Sequence, residues 1–167
     1  IAQEIKGRSK EYGDSSNLSG LRVTMYHFRG ENFYFHDNKV YLRGKHATKM
    51  RGLWISPTPK TKNILFENNY VEVMADETAK AENCMAVSIC GTHSADQDSV
   101  ILEGNTIVSN ICNVRFAESY GTGCNGKFIG NTFYRVGKRP DYRMIRCGWW
   151  VSDTYGHVFR DSKFRSE

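Results

Sequence analysis

The stretch Asn63–Val73, NILFENNYVEV, decides how the chain folds, because its pattern of apolar, polar and asparagine positions returns along the sequence at intervals near thirty residues. Aligned on the last asparagine of each copy, the windows are FYFHDNKVYL (Asn38), ILFENNYVEV (Asn69), VILEGNTIVS (Asn105), GKFIGNTFYR (Asn131) and a weaker HVFRDSKFRS (Ser162). Successive anchors are 31, 36, 26 and 31 residues apart. Three residues before the anchor stand Phe35, Phe66, Leu102, Phe128 and Phe159, and two after it stand Val40, Val71, Ile107, Phe133 and Phe164, so both columns are wholly apolar. Immediately before the anchor come Asp37, Asn68, Gly104, Gly130 and Asp161, residue types that tolerate a tight bend or a left-handed backbone. Each copy reads as strand, sharp corner, strand. A unit of this size, unable to bury its apolar face alone and repeated at a near-constant period, is the signature of a stacked solenoid.

Working outward, LRVTMYHF (21–28) alternates apolar and polar residues at period two and predicts a further strand. Comparable stretches accompany the other copies: GLWISP (52–57), MAVSIC (85–90), NVRFAE (113–118) and MIRCGW (144–149). Each turn of the solenoid therefore carries three strands: an intermediate strand, a strand before the corner and a strand after it. The segments joining them are polar and vary in length, and variable loops on a constant scaffold are where binding surfaces usually sit. The competing fold is a β-sandwich or jelly roll of short strands. Two-residue hairpin signals are scarce, however, and a sandwich gives no reason for an asparagine at one register position in every turn. The predicted fold class is all-β, a right-handed parallel β-helix of about five coils with three strands per coil and an asparagine ladder. Residues 21–167 form the helix. Residues 1–20, with Ile1, Ala2 and Ile5 at helical spacing before a Gly/Ser/Asn-rich turn, are read as an N-terminal cap, a short helix or an irregular segment.

A chain of 167 residues can form one domain with a sizeable core. Fifteen glycines against three prolines fit a β-rich chain with many corners, and no window approaches the length of a membrane span. The net charge of +5 and a pI near 9.0 point to an acidic partner or to a mildly basic, solubilising surface. Five cysteines leave at least one unpaired, and no CxxC pair of the zinc or redox kind occurs. Inside a solenoid such cysteines act as small apolar residues. The first residues carry no signal-peptide pattern.

These residues resemble the right-handed parallel β-helix of the pectate-lyase-like superfamily, in which an asparagine stacks turn upon turn between the second and third strands of each coil. The resemblance covers about residues 20–165, and it implies a carbohydrate-active protein, extracellular or at the cell surface, that binds and in the enzymes of the group cleaves an acidic polysaccharide. It also implies a cleft on the outer face of the intermediate strands. With Val23, Leu53, Val87, Val114 and Ile145 taken as inward, the next outward column reads Thr24, Trp54, Ser88, Arg115 and Arg146. Further along the same face stand Tyr26, Ser56, Cys90, Ala117 and Gly148, and His27, His93, Glu118, Trp149 and Trp150 lie toward the variable loops.

On that basis Arg115 and Arg146 are the candidate catalytic residues, and Tyr26, Trp54, His93, Glu118 and Trp150 the candidate substrate-binding residues. Guanidinium forks bind carboxylate or sulfate bidentately, and aromatic rings stack on sugars. β-Elimination needs a base and a cation to neutralise the uronate carboxyl, whereas hydrolysis needs paired carboxylates. Arginines stand on the strands, while Glu118, Asp96, Asp98 and Asp153 stand on loops, so elimination is expected over hydrolysis if the chain is an enzyme. No cofactor is expected; calcium is an option without a ligand cluster on the strands. Nucleic acid and membrane are not expected partners, and the expected state is monomer or trimer. The alternative is a non-catalytic carbohydrate-binding or phage tail-fibre module, or, from the abrupt FRDSKFRSE ending, a piece of a larger β-helix protein.

Overall fold

The computed structural model describes residues 2–6, 17–24, 30–45, 49–56, 61–79, 83–89, 100–116, 126–147 and 158–167. One strand, β1 (Ala2–Lys6), precedes five coils of three. The first coil is β2 (Asn17–Thr24), β3 (Gly30–His36) and β4 (Lys39–Lys45); the second is β5 (Lys49–Ser56), β6 (Thr61–Glu67) and β7 (Tyr70–Ala75). The third is β8 (Cys84–Ile89), β9 (Val100–Glu103) and β10 (Thr106–Ser109), and the fourth is β11 (Cys112–Phe116), β12 (Gly126–Ile129) and β13 (Thr132–Arg135). The fifth is β14 (Arg143–Cys147), β15 (Val158–Arg160) and β16 (Lys163–Ser166). Like strands of successive coils pair in parallel, giving an intermediate sheet β2-β5-β8-β11-β14, a pre-corner sheet β3-β6-β9-β12-β15 and a post-corner sheet β1-β4-β7-β10-β13-β16. This is a parallel β-helix of five coils, with three strands per coil and no helix among the described residues.

The corner between the second and third strands is built as the repeat predicts. Asp37, Asn68, Gly104, Gly130 and Asp161 all take left-handed backbone, with φ between 51° and 63°. A Cβ on Gly104 would lie 2.7 Å from the Asn68 side-chain oxygen, so glycine is required there for space as well as for φ. The next residue in each coil is the ladder asparagine. Asn69 donates its backbone N–H and its Nδ2 to Asn105 Oδ1, at 2.8 and 2.9 Å, and also donates Nδ2 to the Phe35 carbonyl at 3.0 Å. Asn105 repeats the pattern toward Asn131 Oδ1 (2.9 and 2.9 Å) and the Phe66 carbonyl (2.9 Å). Asn38 joins from the other end with two bonds to Asn69 Oδ1. Each amide thereby satisfies the corner backbone of the preceding coil, where no strand partner is available. At Ser162 only a hydroxyl remains, which donates to the Phe128 carbonyl at 3.3 Å, and the amide ladder stops.

Beneath the corner the two apolar columns meet. Phe66, Leu102 and Phe128, with Val71, Ile107 and Phe133 opposite them, are fully buried. Phe35 stacks on Phe66 at 4.9 Å and Phe128 on Phe159 at 4.6 Å, so neighbouring rungs present like rings face to face. Leu53, Ile55, Val87, Ile89 and Val114 close the core from the intermediate sheet. Gly52 lets that sheet approach the post-corner sheet, because a Cβ there would meet Val71 at 2.5 Å and the Ala86 carbonyl at 2.6 Å.

Two expectations change. Within 1–20, Ala2–Lys6 is strand β1, paired in register with Tyr41–Lys45, and Asn17–Gly20 belong to β2. An isolated turn of helix leaves most of its backbone unsatisfied, whereas the open edge of β4 offers the segment a complete ladder. The first-coil register also slips by two: Leu21, not Val23, aligns with Leu53, Val87, Val114 and Ile145. Val23 aligns with Ile55, Ile89, Phe116 and Cys147. A two-residue slip keeps every side chain on the same face, so alternation alone cannot detect it.

The ladder and the core each make a measurable demand. Asn69→Leu should cost about 1–3 kcal/mol in chemical denaturation, because the Phe35 carbonyl and the Asn38 amide groups lose their partner inside the stack. Lys138→Ala, on an exposed turn, should change stability by less than about 0.5 kcal/mol; equal effects would contradict a structural ladder.

Cys84 and Cys112 are buried thiols outside any disulfide, and burial pushes Cys84 from its ordinary 9.0 up to about 11. Both should resist a thiol reagent until the protein unfolds. The unfolded Cys84 thiol ionises near pH 9 while the folded one stays protonated until about 11, so its contribution is complete below 9 and is lost as pH rises through that window. Stability should fall over pH 9–11 with a shallower slope in Cys84→Ala; identical slopes would place the alkaline sensitivity elsewhere.

Candidate functional site

The outward positions of the intermediate sheet fall into columns that the register fixes. Arg22, Trp54, Ser88, Arg115 and Arg146 form one column, with Arg115 paired directly to Arg146 across β11 and β14. Arg22 takes the place assigned from sequence to Thr24, which pairs instead with Ser56, the position assigned to Tyr26. Three of five positions in the column are therefore arginine, one more than the sequence alignment counted. Tyr26, His93, Glu118 and Trp150 lie outside the described residues, so of the residues singled out from sequence the register brings together Trp54, Arg115 and Arg146.

This face is not an open trough along its length. Arg115 is 9% exposed, and Ser88 is fully buried although it alternates away from the core; Met85 and Cys112 are fully buried as well. Arg51 is buried too, with its guanidinium 4.2 Å from the centre of the Trp54 ring. Arg51 and Trp54 are three residues apart on β5, so the cation–π contact depends on a break in the alternation at Gly52, with Met50 and Leu53 both in the core; sequence reasoning passed over Arg51 because GLWISP begins one residue after it. The accessible end of the face is β14, the edge strand, where Arg143 is exposed.

The segment delivering β14 is held by Arg139. Its guanidinium donates to the carbonyls of Asp76 and Ala79, at 2.5 and 2.6 Å, and forms a two-point pair with Asp141, at 2.9 and 2.8 Å. The contact spans from the second coil to the fourth because the connection between β10 and β11 is short. There the Ser109 hydroxyl accepts the N–H groups of Ile111 and Cys112, each at 3.1 Å, and turns the chain within two residues. Arg139 thus positions Arg143 and the strand bearing Arg146 without belonging to the column itself.

Carboxylates sit on other faces. Glu67 and Glu103 are register partners on the outer side of the pre-corner sheet, where the Tyr34 hydroxyl donates to Glu67 and raises the Tyr34 pKa by that bond. The sequence analysis did not single them out, although both stand two residues before their ladder asparagine; the pairing of β6 with β9 sets them on consecutive rungs. Glu118, Asp96, Asp98 and Asp153 lie outside the described residues. Among the described residues no group of three or more His, Cys, Asp or Glu side chains could hold a metal ion, and no helix is long and apolar enough to cross a membrane. No protein-family model matches the chain, and no curated protein or solved structure matches it.

Proposed function

We propose that this β-helix binds an acidic polysaccharide on the outer face of its solenoid, in the manner of a pectate-lyase-like protein. The observation that carries the reading is the register of β11 and β14, which sets Arg115 and Arg146 on adjacent rungs in a column that also holds Trp54 and Arg22. Like charges on neighbouring rungs repel, and an anion shared between them offsets that repulsion while using the bidentate geometry of guanidinium. A polyuronate or sulfated glycan supplies such anions in a row. The ligand would enter over the exposed edge strand β14 past Arg143, and Trp54 would offer its ring to a sugar face.

Cleavage by β-elimination is a second reading, favoured by the same pair. One guanidinium would neutralise the uronate carboxyl, and the other arginine, as its neutral guanidine, would accept the C5 proton as the C4–O bond breaks and water protonates the leaving oxygen. Hydrolysis has less in its favour, since the Glu67 and Glu103 pair stands on a different sheet from the arginines. An extracellular or cell-surface setting and a monomeric or trimeric state belong to this proposal as well.

Arg115→Ala and Arg146→Ala should each weaken binding of polygalacturonate by about 1–3 kcal/mol, the range for hydrogen bonds to charged groups. The double variant should lose less than the sum, because both act on one ligand, and salt should weaken the wild type more than the double variant. Incubation with the polymer followed by ultraviolet absorbance of unsaturated uronate separates elimination from binding alone. If both alanine variants bind every acidic glycan as the wild type does, the arginine column is not the site.

A further inference from the structure

The outer face of the post-corner sheet carries a second aromatic and basic surface. Its register columns are Lys39–Tyr70–Thr106–Thr132–Lys163 and Tyr41–Glu72–Val108–Tyr134–Arg165. At one end the Tyr41 and Tyr70 rings lie 5.3 Å apart, and Glu72 joins the Tyr70 hydroxyl (2.9 Å) to Arg43 (2.9 Å). At the other end the Arg165 guanidinium lies 5.7 Å from the Tyr134 ring centre. Between them the third coil carries the short side chains Thr106 and Val108, Val108 being 7% exposed, and Thr132 stands next to Thr106 on the fourth coil. Tyrosines thus stand on the coils to either side of a stretch whose hydroxyls come from Thr106 and Thr132.

From this arrangement we infer that the post-corner sheet is a distinct glycan-binding surface, taking an acidic polysaccharide that lies along the solenoid axis. The inference rests on the proposed reading that the protein binds acidic polysaccharides. A sugar ring seated over Thr106, Val108 and Thr132 meets tyrosine faces on either side and hydroxyl groups below. Its neighbours along the chain reach the exposed cations Lys39 and Arg43 at one end and Lys163 and Arg165 at the other. Those ends are four rungs apart, about 19 Å at 4.8 Å per rung, the length of roughly four sugar residues.

A polyuronate and a phosphodiester chain would meet the same cations at the two ends, so the middle of the face favours the glycan: Thr106 and Thr132 present short hydroxyls that suit a hydroxyl-rich sugar ring, rather than the continuous basic groove that tracks a nucleic-acid backbone. Glu72 is 8% exposed, and its carboxylate accepts from Arg43 and Tyr70, so this acid is already paired within the sheet.

The test is binding of oligogalacturonates of two to eight residues to the whole chain, with Tyr134→Ala, Tyr134→Phe and a Lys163→Ala/Arg165→Ala variant, each shown by denaturation to be folded. Wild-type affinity should rise steeply from two to about four residues. Tyr134→Ala should lose roughly three- to tenfold, Tyr134→Phe should keep wild-type affinity, and the lysine–arginine variant should flatten the dependence on length. Loss of oligogalacturonate binding in the arginine-column variants with none in the Tyr134 and Lys163 variants would overturn this inference and leave the proposed function standing. No binding of any acidic glycan by the wild type would overturn both. Tighter binding of a twenty-residue oligodeoxythymidylate with the same Tyr134→Ala sensitivity would replace the glycan with single-stranded nucleic acid.

Discussion

Stacked asparagine amides solve the one problem that a parallel β-helix cannot avoid. The chain must turn sharply between its second and third strands in every coil, and the backbone groups at that turn point into a dry interior. An amide side chain offers a donor pair and an acceptor on the same short stem. Asn69 and Asn105 therefore donate to the asparagine oxygen of the following coil and to a carbonyl of the preceding one, and accept from the preceding coil at their own oxygens, while the left-handed residue before each anchor sets the corner angle. A single unsatisfied group there costs on the order of 1–3 kcal/mol, a large part of the few kcal/mol by which a domain of this size is stable.

Once the corner is fixed, the registers of the pre-corner and post-corner sheets follow, and with them the makeup of their outward columns. Arg115 and Arg146 become neighbours because the anchors Asn131 and Ser162 and the strands β11 and β14 advance together. The same bookkeeping places Glu67 beside Glu103 and Tyr134 beside Arg165. The three faces therefore differ in chemistry by sequence but share one spacing. The intermediate face is arginine-rich and largely covered, the pre-corner face carries carboxylates, and the post-corner face carries tyrosines between two basic ends.

The ladder weakens toward the last coil. Ser162 cannot span to its neighbour as an amide does, and Phe164 is 48% exposed although its column is fully buried at Val71, Ile107 and Phe133. Phe164 still stacks on Phe133 at 5.1 Å, so the apolar column runs on one rung past the amide ladder. Packing of rings and bonding of amides are thus separable supports of the same corner.

The sequence by itself determined the repeat, the corner and the core. Asn38, Asn69, Asn105 and Asn131, the residues before them and the phenylalanine columns are local patterns, and a local pattern suffices because each coil repeats the same task. It also assigned Trp54, Arg115 and Arg146 to one outward column, since alternation fixes the face. Only the tertiary structure decided the register of the first coil, where a slip of two residues keeps the face and so leaves no trace in the pattern, moving Arg22 rather than Thr24 into line. Only the stack decided that Arg115 and Arg51 are buried, that Ala2–Lys6 extends a sheet instead of winding as a helix, and that Tyr70 and Tyr134 stand on the coils to either side of Thr106 and Val108. Those properties depend on which rungs are neighbours and what covers them, and pairing between residues 26 to 36 apart is invisible to any window short enough to show a strand.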